Sequence, residues 1–365
     1  MELRKSGDFI LKFMVTCLVI FGIIMVFSSS YYSALNAEGD AYYYLKRVIL
    51  WALIGGVLMT ITSNIPYRLY AHWAPMIMLV AVGLLILVLT PLGHNLNGAN
   101  RWIGVGPITI MPGELCKPAA AIFTAWFLSR DLDRIRDLKN GVLPLLALVV
   151  LCCGLIMLQP NLSTAVTVAS VVVVIMIAAG MDLKYLFFMA AAGVVAVVGL
   201  ILIEPYRLAR LTSFLDPFAD PLNTGFQAVQ SLLALGSGGL FGVGLGKSIQ
   251  KTLYLPEPQN DFIFAIIGEE LGFIGCILLL LAFLVLIWRG IHISINARDN
   301  FGMLLATGIT GMIAIQVVLN IAVVTSSVPA TGVALPFISW GGNSLAIFMA
   351  CAGILNNISK SAPQY

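Results

Sequence analysis

Residues Leu255 to Gly272 read LPEPQNDFIFAIIGEELG, a polar segment that is followed at once by apolar residues. The apolar run starts at Phe262 and continues through Trp288, which is long enough for an α-helix to cross the roughly 30 Å hydrocarbon core of a bilayer. Asp261 directly precedes this run. The sequence therefore predicts a carboxylate at the mouth of a membrane helix, and Asp261 is the first candidate functional residue.

The rest of the chain has the composition of an integral membrane protein. Hydrophobic residues make up 60% of the 365 residues and charged residues only 10%, and the mean hydropathy of +0.98 exceeds that of soluble globular domains. We predict an all-α integral membrane protein, one polytopic domain over residues 1–365, with ten transmembrane helices. The apolar runs are Phe9–Ser30, Val48–Thr62, Trp73–Thr90, Pro112–Ser129, Gly141–Leu158, Leu162–Met181, Leu183–Ile203, Phe262–Trp288, Phe301–Val324 and Asn343–Ile358.

Basic residues in the connections predict the orientation of these helices. Three clusters of lysine and arginine fall on one side of a ten-helix arrangement, and such clusters favour the cytoplasm. Both termini are therefore predicted to be cytoplasmic, with the first helix kept as an anchor because it is too long for a signal peptide. Lys46 and Arg47 are the exception, since the same arrangement places them on the extracellular side of the membrane. The clusters are Arg4, Lys5 and Lys12; Arg130, Arg134, Arg136 and Lys139; and Arg289 and Arg298.

Two longer connections are predicted on the extracellular side. Residues 204–260 form a large loop between helices 7 and 8, and we expect it to be partly helical because it contains the apolar stretch Phe226–Leu235. Pro91–Met111 is the smaller one. All six cysteines lie inside apolar runs, so no disulfide framework is expected. The net charge of +3 reflects the topology of the basic clusters and does not indicate nucleic-acid binding.

A glycine-rich segment, Gly236–Ser248, is similar to a phosphate-binding loop but departs from it. Its Gly-Lys-Ser ending fits that pattern, whereas Phe241 stands where the pattern requires glycine. Two interpretations remain open. Either the glycines permit tight turns and close backbone packing, or the loop faces an anionic lipid headgroup together with Lys247 or Lys251.

Glu114 and Lys117 are charged residues inside the apolar fourth run. Their spacing of three places them on one face of a helix. Because an unpaired charge is costly within a bilayer, the two side chains are expected to pair or to line a wet cavity. The pair either holds helices in register or presents Lys117 as a positive charge in a polar cavity, and these roles are compatible.

Arg101-Trp102 and Asp261 each allow two interpretations. Arginine can grip a phosphate with two hydrogen bonds, and tryptophan can stack on a sugar face. The alternative for Arg101-Trp102 is an aromatic anchor at the membrane surface. Asp261 is either the N-cap of the helix that follows, where the helix dipole favours its charge, or a general base.

A series of motifs, in order along the chain, resembles the SEDS family (shape, elongation, division and sporulation), and its FtsW and SpoVE branch more than RodA. The segment Asn260–Gly272 is the specific part of the match. The motifs are Gly98–Ile103 (GANRWI), Pro112–Lys117 (PGELCK), Phe214–Pro221 (FLDPFADP), Gly225–Ser231 (GFQAVQS), Leu255–Gly272 and Leu335–Gly342 (LPFISWGG).

The resemblance implies a ten-helix peptidoglycan glycosyltransferase at the outer face of the bacterial cytoplasmic membrane. Its substrate would be lipid II, the undecaprenyl-pyrophosphate-linked disaccharide peptide. It would work with a class B penicillin-binding protein, a transpeptidase, and with other division or sporulation membrane proteins. Asp261 matches the family's essential aspartate, Trp102 a required loop tryptophan, and Glu114 and Lys117 a polar pair in the central cavity.

The implied reaction converts an α donor linkage into a β product linkage, which requires a single inverting displacement with one base. Asp261 would take the proton of the acceptor's 4-hydroxyl group, and the departing pyrophosphate would need positive charge. The candidates for that charge are Arg101, Lys117, Lys247, Lys251 and a divalent cation, Mg²⁺ or Mn²⁺.

Departures from the family pattern include Met111, where glutamine is usual, and Trp340 and Asn343, where tyrosine and serine are usual. Asn161 replaces an aspartate and removes a carboxylate, which puts in doubt any metal or proton chemistry at that position. The alternative function is a lipid II flippase or transporter, which would depend on charges in the middle of the membrane and tolerate loss of Asp261. A noncatalytic scaffold would also tolerate that loss.

Overall fold

The computed structural model describes residues 7–96, 99–105, 108–203, 211, 213–252 and 254–361. Among these residues, six segments are long and apolar enough to cross a membrane, as expected of a multi-pass membrane protein, namely Phe9–Glu38, Tyr43–Asn64, Arg68–Leu87, Leu138–Met157, Ile263–Ile295 and Asn300–Val324. The helices are α1 (Phe9–Glu38), α2 (Tyr43–Asn64), α3 (Arg68–Leu87), α4 (Pro112–Ser129), α5 (Leu143–Met157), α6 (Leu162–Ala178), α7 (Leu183–Ile203), α8 (Phe226–Ser237), α9 (Ile263–Ile295), α10 (Asn300–Val324) and α11 (Asn343–Ser361).

Several helices extend beyond the predicted apolar runs. Helix α1 continues to Glu38 instead of Ser30, and α2 begins at Tyr43 instead of Val48. Most of the added residues are tyrosines or polar or charged residues, which can continue a helix although they do not favour hydrocarbon. Gly39, with φ of 71°, ends α1 in the left-handed conformation that glycine adopts most easily.

A small sheet corrects the all-α prediction. Strands β1 (Gly93–Leu96), β2 (Ala99–Val105) and β3 (Ile108–Ile110) form an antiparallel sheet in the order β1-β2-β3 within the segment predicted as a loop. His94 lies opposite Trp102, and Ile103 lies opposite Ile110. The strands are too short and too mixed in polarity to stand out in a hydropathy pattern designed to find helices.

Helix α9 is interrupted at Gly272, whose φ of 69° and ψ of −168° lie outside the helical region. The glycine-rich segment supplies hydrogen bonds at this break. The amide of Val243 donates to the carbonyl of Glu269 at 2.9 Å, and the amide of Phe273 donates to the carbonyl of Gly239 at 2.9 Å. The close-packing interpretation thus accounts for the glycines, and the predicted run Phe262–Trp288 is not one continuous helix.

The first and last described parts of the chain lie at the same end of the bundle. The amide of Asp8 donates to Oγ of Ser359 at 3.0 Å, and Arg289, near the end of α9, pairs with the Asp8 carboxylate. We call this the terminal end, and the opposite end, where α9 begins, the loop end. Arg4 and Lys5 of the first basic cluster lie outside the described residues, as do 204–210, 212 and 253 of the predicted extracellular loop.

Candidate functional site

Asp261 lies at the loop end, two residues before the start of α9, and is partly exposed. Its Oδ2 faces Gly332, where an added Cβ would lie 3.2 Å away. The N-cap of α9 is Phe262, which makes no side-chain cap. The N-cap position of α9 is therefore one residue after Asp261, the residue for which it was predicted.

Two amide side chains on α10 hold the backbone around Asp261. Nδ2 of Asn320 donates to the carbonyl of Asp261 at 2.8 Å and to that of Val333 at 2.6 Å. One turn earlier, Nε2 of Gln316 donates to the carbonyl of Ala334 at 3.1 Å. Both amides are buried, and their spacing of four places them on one face of α10. They fix the segment after Gly332 beside Asp261.

Glu114 and Lys117 form a direct ion pair of 2.6 Å whose side chains are 11% and 4% exposed. Oγ of Ser344, in α11, donates to the Glu114 carboxylate at 2.9 Å. Nζ of Lys117 donates to Oε1 of Gln316, in α10, at 3.1 Å. The pair therefore links α4 to α10 and α11. Through Gln316 it also joins the amide network that holds Asp261.

Arg101 fastens the sheet to the turn between α5 and α6. Its Nε donates to the carbonyl of Gln159 at 2.9 Å, and its Nη2 donates to the carbonyl of Pro160. These carbonyls follow the end of α5, where a helix presents its negative pole. Trp102 is the next residue of β2, is partly exposed, and lies opposite His94. The position of Trp102 thus depends on the Arg101 contacts.

Asn161 caps α6. Its Oδ1 accepts hydrogen bonds from the amide of Thr164 at 3.2 Å and from Oγ of Ser163 at 3.1 Å, and the residue is buried. Asparagine and aspartate are comparable N-caps. The structural task at this position is therefore fulfilled without a carboxylate.

The two candidate lysines of the glycine-rich region have different environments. Lys247 is exposed. Lys251 is buried, with its Nζ 2.7 Å from the Glu270 carboxylate and 3.1 Å from Oγ of Ser28. The neighbouring carboxylate of Glu269 accepts the amide of Ile249 at 2.8 Å. The charge of Lys251 is thus balanced by Glu270 within the protein, whereas the side chain of Lys247 is exposed at the protein surface.

The loop before α8 is ordered by Asp220. Its carboxylate accepts the amide of Thr224 at 3.2 Å and Nδ2 of Asn223 at 2.9 Å, and these hydrogen bonds hold the pKa of Asp220 below its usual value. A cavity of about 60 Å³ separates this loop from Phe262, the neighbour of Asp261. This cavity has room for several water molecules.

Metal ligands are sparse in the part of the chain that the structure describes. No group of three or more His, Cys, Asp or Glu side chains is placed there to hold an ion. Magnesium is commonly held by one or two carboxylates together with substrate phosphates. A divalent cation at this site would complete its coordination with water or with oxygen atoms of the substrate.

Sequence reasoning missed Gln316, Asn320 and the buried acids Glu269 and Glu270 as parts of the site region. A signal existed for the amides, since two of them spaced by four in an apolar helix must find hydrogen-bond partners. Their partners were not predictable, because those are backbone carbonyls of segments distant in sequence.

Comparison with known proteins places this geometry in a family. The family model of the cell cycle proteins FtsW, RodA and SpoVE matches residues 9–364. Stage V sporulation protein E of Bacillus subtilis is 44% identical over 358 residues, covering 98% of both chains. The probable peptidoglycan glycosyltransferase FtsW of Trichlorobacter lovleyi is 43% identical over 363 residues, covering 98% of this chain and 94% of the relative.

Solved structures agree with the sequence relatives. A chain of a peptidoglycan synthase complex, studied for the coordination of polymerization and crosslinking, superposes with a TM-score of 0.80 at 27% identity, covering 97% of both chains. The rod shape determining protein RodA of Thermus thermophilus superposes with a TM-score of 0.71 at 26% identity, covering 98% of both chains. These matches confirm the resemblance found in the motifs. The chain belongs to the FtsW, RodA and SpoVE family of cell cycle proteins.

Proposed function

We propose that this protein is a peptidoglycan glycosyltransferase that polymerises lipid II into glycan strands at the outer face of the bacterial cytoplasmic membrane, for cell division or sporulation. The observation that carries the proposal is Asp261, a partly exposed acidic residue at the loop end of an apolar bundle, whose backbone carbonyl accepts a hydrogen bond from the buried amide of Asn320. Relatives named as FtsW glycosyltransferases support the reaction class.

Asp261 acts as the general base in this proposal. The 4-hydroxyl oxygen of the acceptor sugar forms a bond to the anomeric carbon of the donor while the bond from that carbon to the pyrophosphate breaks. The hydroxyl proton passes to the Asp261 carboxylate, and undecaprenyl pyrophosphate leaves with the bonding electrons. A positioned base of this kind contributes roughly 10²- to 10⁴-fold to the rate.

The remaining candidate residues are proposed to surround the headgroup. Arg101, Trp102 and Lys247 meet the sugar and pyrophosphate from the loop end. Glu114, Lys117 and Lys251 act without direct contact with the headgroup, because their charges are paired inside the protein. Positive charge near a departing pyrophosphate stabilises the transition state.

A groove along α3 suits the polyprenyl tail. It has a volume of about 490 Å³ and is apolar, with Tyr70, Trp73, Met76 and Pro118 among its lining residues. A tail held there would keep the headgroup near the loop end and raise its effective concentration.

The proposed topology has ten transmembrane helices, α1–α7 and α9–α11, with α8 in the extracellular loop and both termini cytoplasmic. An even number of crossings agrees with the contact between Asp8 and Ser359. A cysteine placed at Leu222, which is 81% exposed in the loop, should react with an impermeant maleimide in intact cells. A cysteine at Ser361 should react only after lysis, and the opposite pattern would contradict the orientation.

The proposed partner is a class B penicillin-binding protein, beside other division or sporulation membrane proteins. The structural similarity to a chain of a peptidoglycan synthase complex supports a transpeptidase partner. A polymerase that acts beside a transpeptidase delivers new strands directly to the enzyme that crosslinks them.

Incubation with lipid II tests the proposal. The purified protein, with its partner, should form glycan strands visible on a gel, whereas Asp261→Ala should form none while remaining folded. Asp133→Ala, which removes an exposed acid far from the site, is the matched control and should retain activity. Glycan strands formed by Asp261→Ala would contradict the assignment of Asp261 as the base. Transport of lipid II across vesicle membranes without strand formation would favour a flippase.

A further inference from the structure

Six aromatic side chains cluster at the loop end, outside the polar network around Asp261. Tyr31 contacts Tyr32 edge to face with ring centroids 5.4 Å apart, and Tyr43 contacts Tyr44 in the same way at 5.2 Å. Tyr44 in turn contacts Trp340 at 5.6 Å. We call the cluster the aromatic platform; it comprises Tyr31, Tyr32, Tyr42, Tyr43, Tyr44 and Trp340.

Phe27 joins Tyr31 of α1 to Tyr42, the residue before α2. Its ring lies 5.8 Å from that of Tyr31 and 5.6 Å from that of Tyr42, with which it stacks. The rings therefore form two groups, one of Tyr31, Tyr32, Phe27 and Tyr42 and one of Tyr43, Tyr44 and Trp340, which adjoin where Tyr42 precedes Tyr43 at the start of α2. Isolated aromatic anchors around a bundle would not need such contacts.

The platform lies at the boundary between hydrocarbon and water. Helix α1 has 30 residues, about ten more than a bilayer crossing requires. Tyr31 lies roughly 33 Å along α1 from Phe9 at 1.5 Å per residue. Tyr31, Tyr32 and Tyr42 are 37%, 41% and 51% exposed, so their rings are accessible to a ligand in this layer.

The platform borders the segment that leads to Asp261. The amide of Trp340 donates to the carbonyl of Gln259, two residues before Asp261, at 2.9 Å. Glu257, in the same segment, lies close enough to Tyr44 for electrostatic interaction. A chain of sugars extending from Asp261 in this direction would pass over the rings.

Basic side chains accompany the rings. The Arg47 guanidinium lies 4.2 Å from the centroid of the Tyr43 ring, and Lys46 pairs with Asp40 at 2.7 Å, which lowers the pKa of that carboxyl. These two cations oppose the predicted orientation of the helices, since basic residues favour the cytoplasmic side. A function at this position would explain their presence.

We propose that the aromatic platform binds the growing glycan strand as it leaves Asp261. This inference rests on the proposed polymerase function. Sugar rings present flat C–H faces that pack on aromatic rings, while tyrosine hydroxyls and the Arg47 guanidinium can bond sugar hydroxyls and the carboxylates of the peptide stems. A strand held here would remain bound between successive couplings.

Binding of glycan without turnover tests the platform directly. The probe is a fluorescently labelled, uncrosslinked, lipid-free glycan oligomer, and the readout is polarisation with the purified full-length protein. The double variant Tyr31→Leu and Tyr42→Leu should bind roughly tenfold more weakly, a loss of about 1.4 kcal/mol. Replacement of both tyrosines by phenylalanine should change binding by less than about threefold, because the rings remain.

The matched control is Phe9→Leu with Phe13→Leu, which removes a stacked, exposed aromatic pair at the terminal end. The control should bind as the wild type does. Should the double tyrosine variant misfold, Tyr42→Leu alone, which alters the most exposed ring of the platform, should weaken binding about threefold. Equal binding by wild type and the leucine variants, or no binding by the wild type, would overturn the proposal.

Strand length with lipid II separates this inference from the polymerase assignment. The double leucine variant should make strands several-fold shorter than those of the wild type at a similar initial rate of coupling. Polymer of unchanged length would be consistent with the polymerase assignment and would contradict glycan binding by the platform. Glycan binding by a wild type that makes no polymer would support the platform and contradict the polymerase assignment. Loss of the partner from the purified complex, with normal glycan binding, would assign the rings to a protein interface instead.

Discussion

The Glu114 and Lys117 charges are each costly alone and tolerable together. Removal of an ion from water costs several kcal/mol even after relaxation, and the loss is offset only by close pairing and further hydrogen bonds. The 2.6 Å contact and the bonds from Ser344 and to Gln316 provide both. The stability of this region therefore depends on the two charges being present or absent as a unit.

Lys117→Met alone should destabilise the protein by about 3–5 kcal/mol, because it leaves the Glu114 carboxylate buried without its partner. The double variant Glu114→Gln with Lys117→Met should be more stable than either single variant. Thermal unfolding of the purified proteins in detergent measures the difference. Losses that simply add would show that the pair does not act as a unit.

Asp299 provides a pH-dependent contact at the terminal end. Burial opposes its ionisation, but hydrogen bonds from the amide of Gly302, the hydroxyl of Tyr67 and the guanidinium of Arg68 outweigh burial and lower its pKa below the usual value of an aspartate. A lowered folded-state pKa means that the charged form stabilises the fold. The contribution is complete above the unfolded-state value and is lost as the pH falls through the folded-state value.

Asp299→Asn should therefore lower the melting temperature at pH 6 and have a smaller effect near pH 3. Asparagine keeps the capping oxygen for Gly302 but replaces the oxygen that accepts from Tyr67 and Arg68 by an NH2 donor, so the substitution removes the charge together with these two hydrogen bonds. Melting curves of both proteins at the two pH values provide the test. A difference that grows as the pH falls would contradict the assigned sign.

At the scale of elements, Gly272 decides the shape of α9. Its conformation is one that L side chains rarely adopt, and a Cβ there would lie 2.3 Å from the amide nitrogen of Gly242. Backbone strain of this kind costs about 1–3 kcal/mol before any collision is counted. The break in α9 and the packing of the glycine-rich segment therefore depend on each other.

Gly272→Ala should reduce the yield of folded protein and lower its melting temperature. The control is Gly154→Ala in α5, where an added Cβ meets nothing within 4 Å and should stabilise the helix by up to about 1 kcal/mol. Gel filtration and thermal unfolding compare the two. Equal behaviour of both variants would contradict the account of the break.

Hydropathy predicted the centres of the helices but not their ends. Lipid contact selects apolar residues only where hydrocarbon covers a helix, so the continuation of α1 to Glu38 left no apolar signal. The sheet that carries Arg101 and Trp102 was missed for a related reason, since its strands are short and partly polar. The dipeptide Asn97-Gly98, a common hairpin signal, was present in the sequence and could have indicated it.

At the scale of the whole molecule, the candidate site joins residues that are far apart in sequence. Asp261 and the pair Glu114 and Lys117 were recognisable because charges are rare in apolar chains and because their motifs resemble a family. Their connection through Gln316 and Asn320 was not predictable, since it depends on which face α10 turns toward α4 and toward the start of α9. A single sequence does not determine which face of α10 is turned toward either of these neighbours.

The most direct test of the central claim is the single-turnover rate of coupling of two lipid II molecules by Asp261→Asn, in complex with the partner transpeptidase. Asparagine keeps the size of the side chain and removes its ability to accept the proton. The account predicts a rate roughly 10²- to 10⁴-fold below that of the wild type, with unchanged affinity for lipid II. A rate within tenfold of the wild type, or a loss explained entirely by weaker binding, would contradict the assignment of Asp261 as the base.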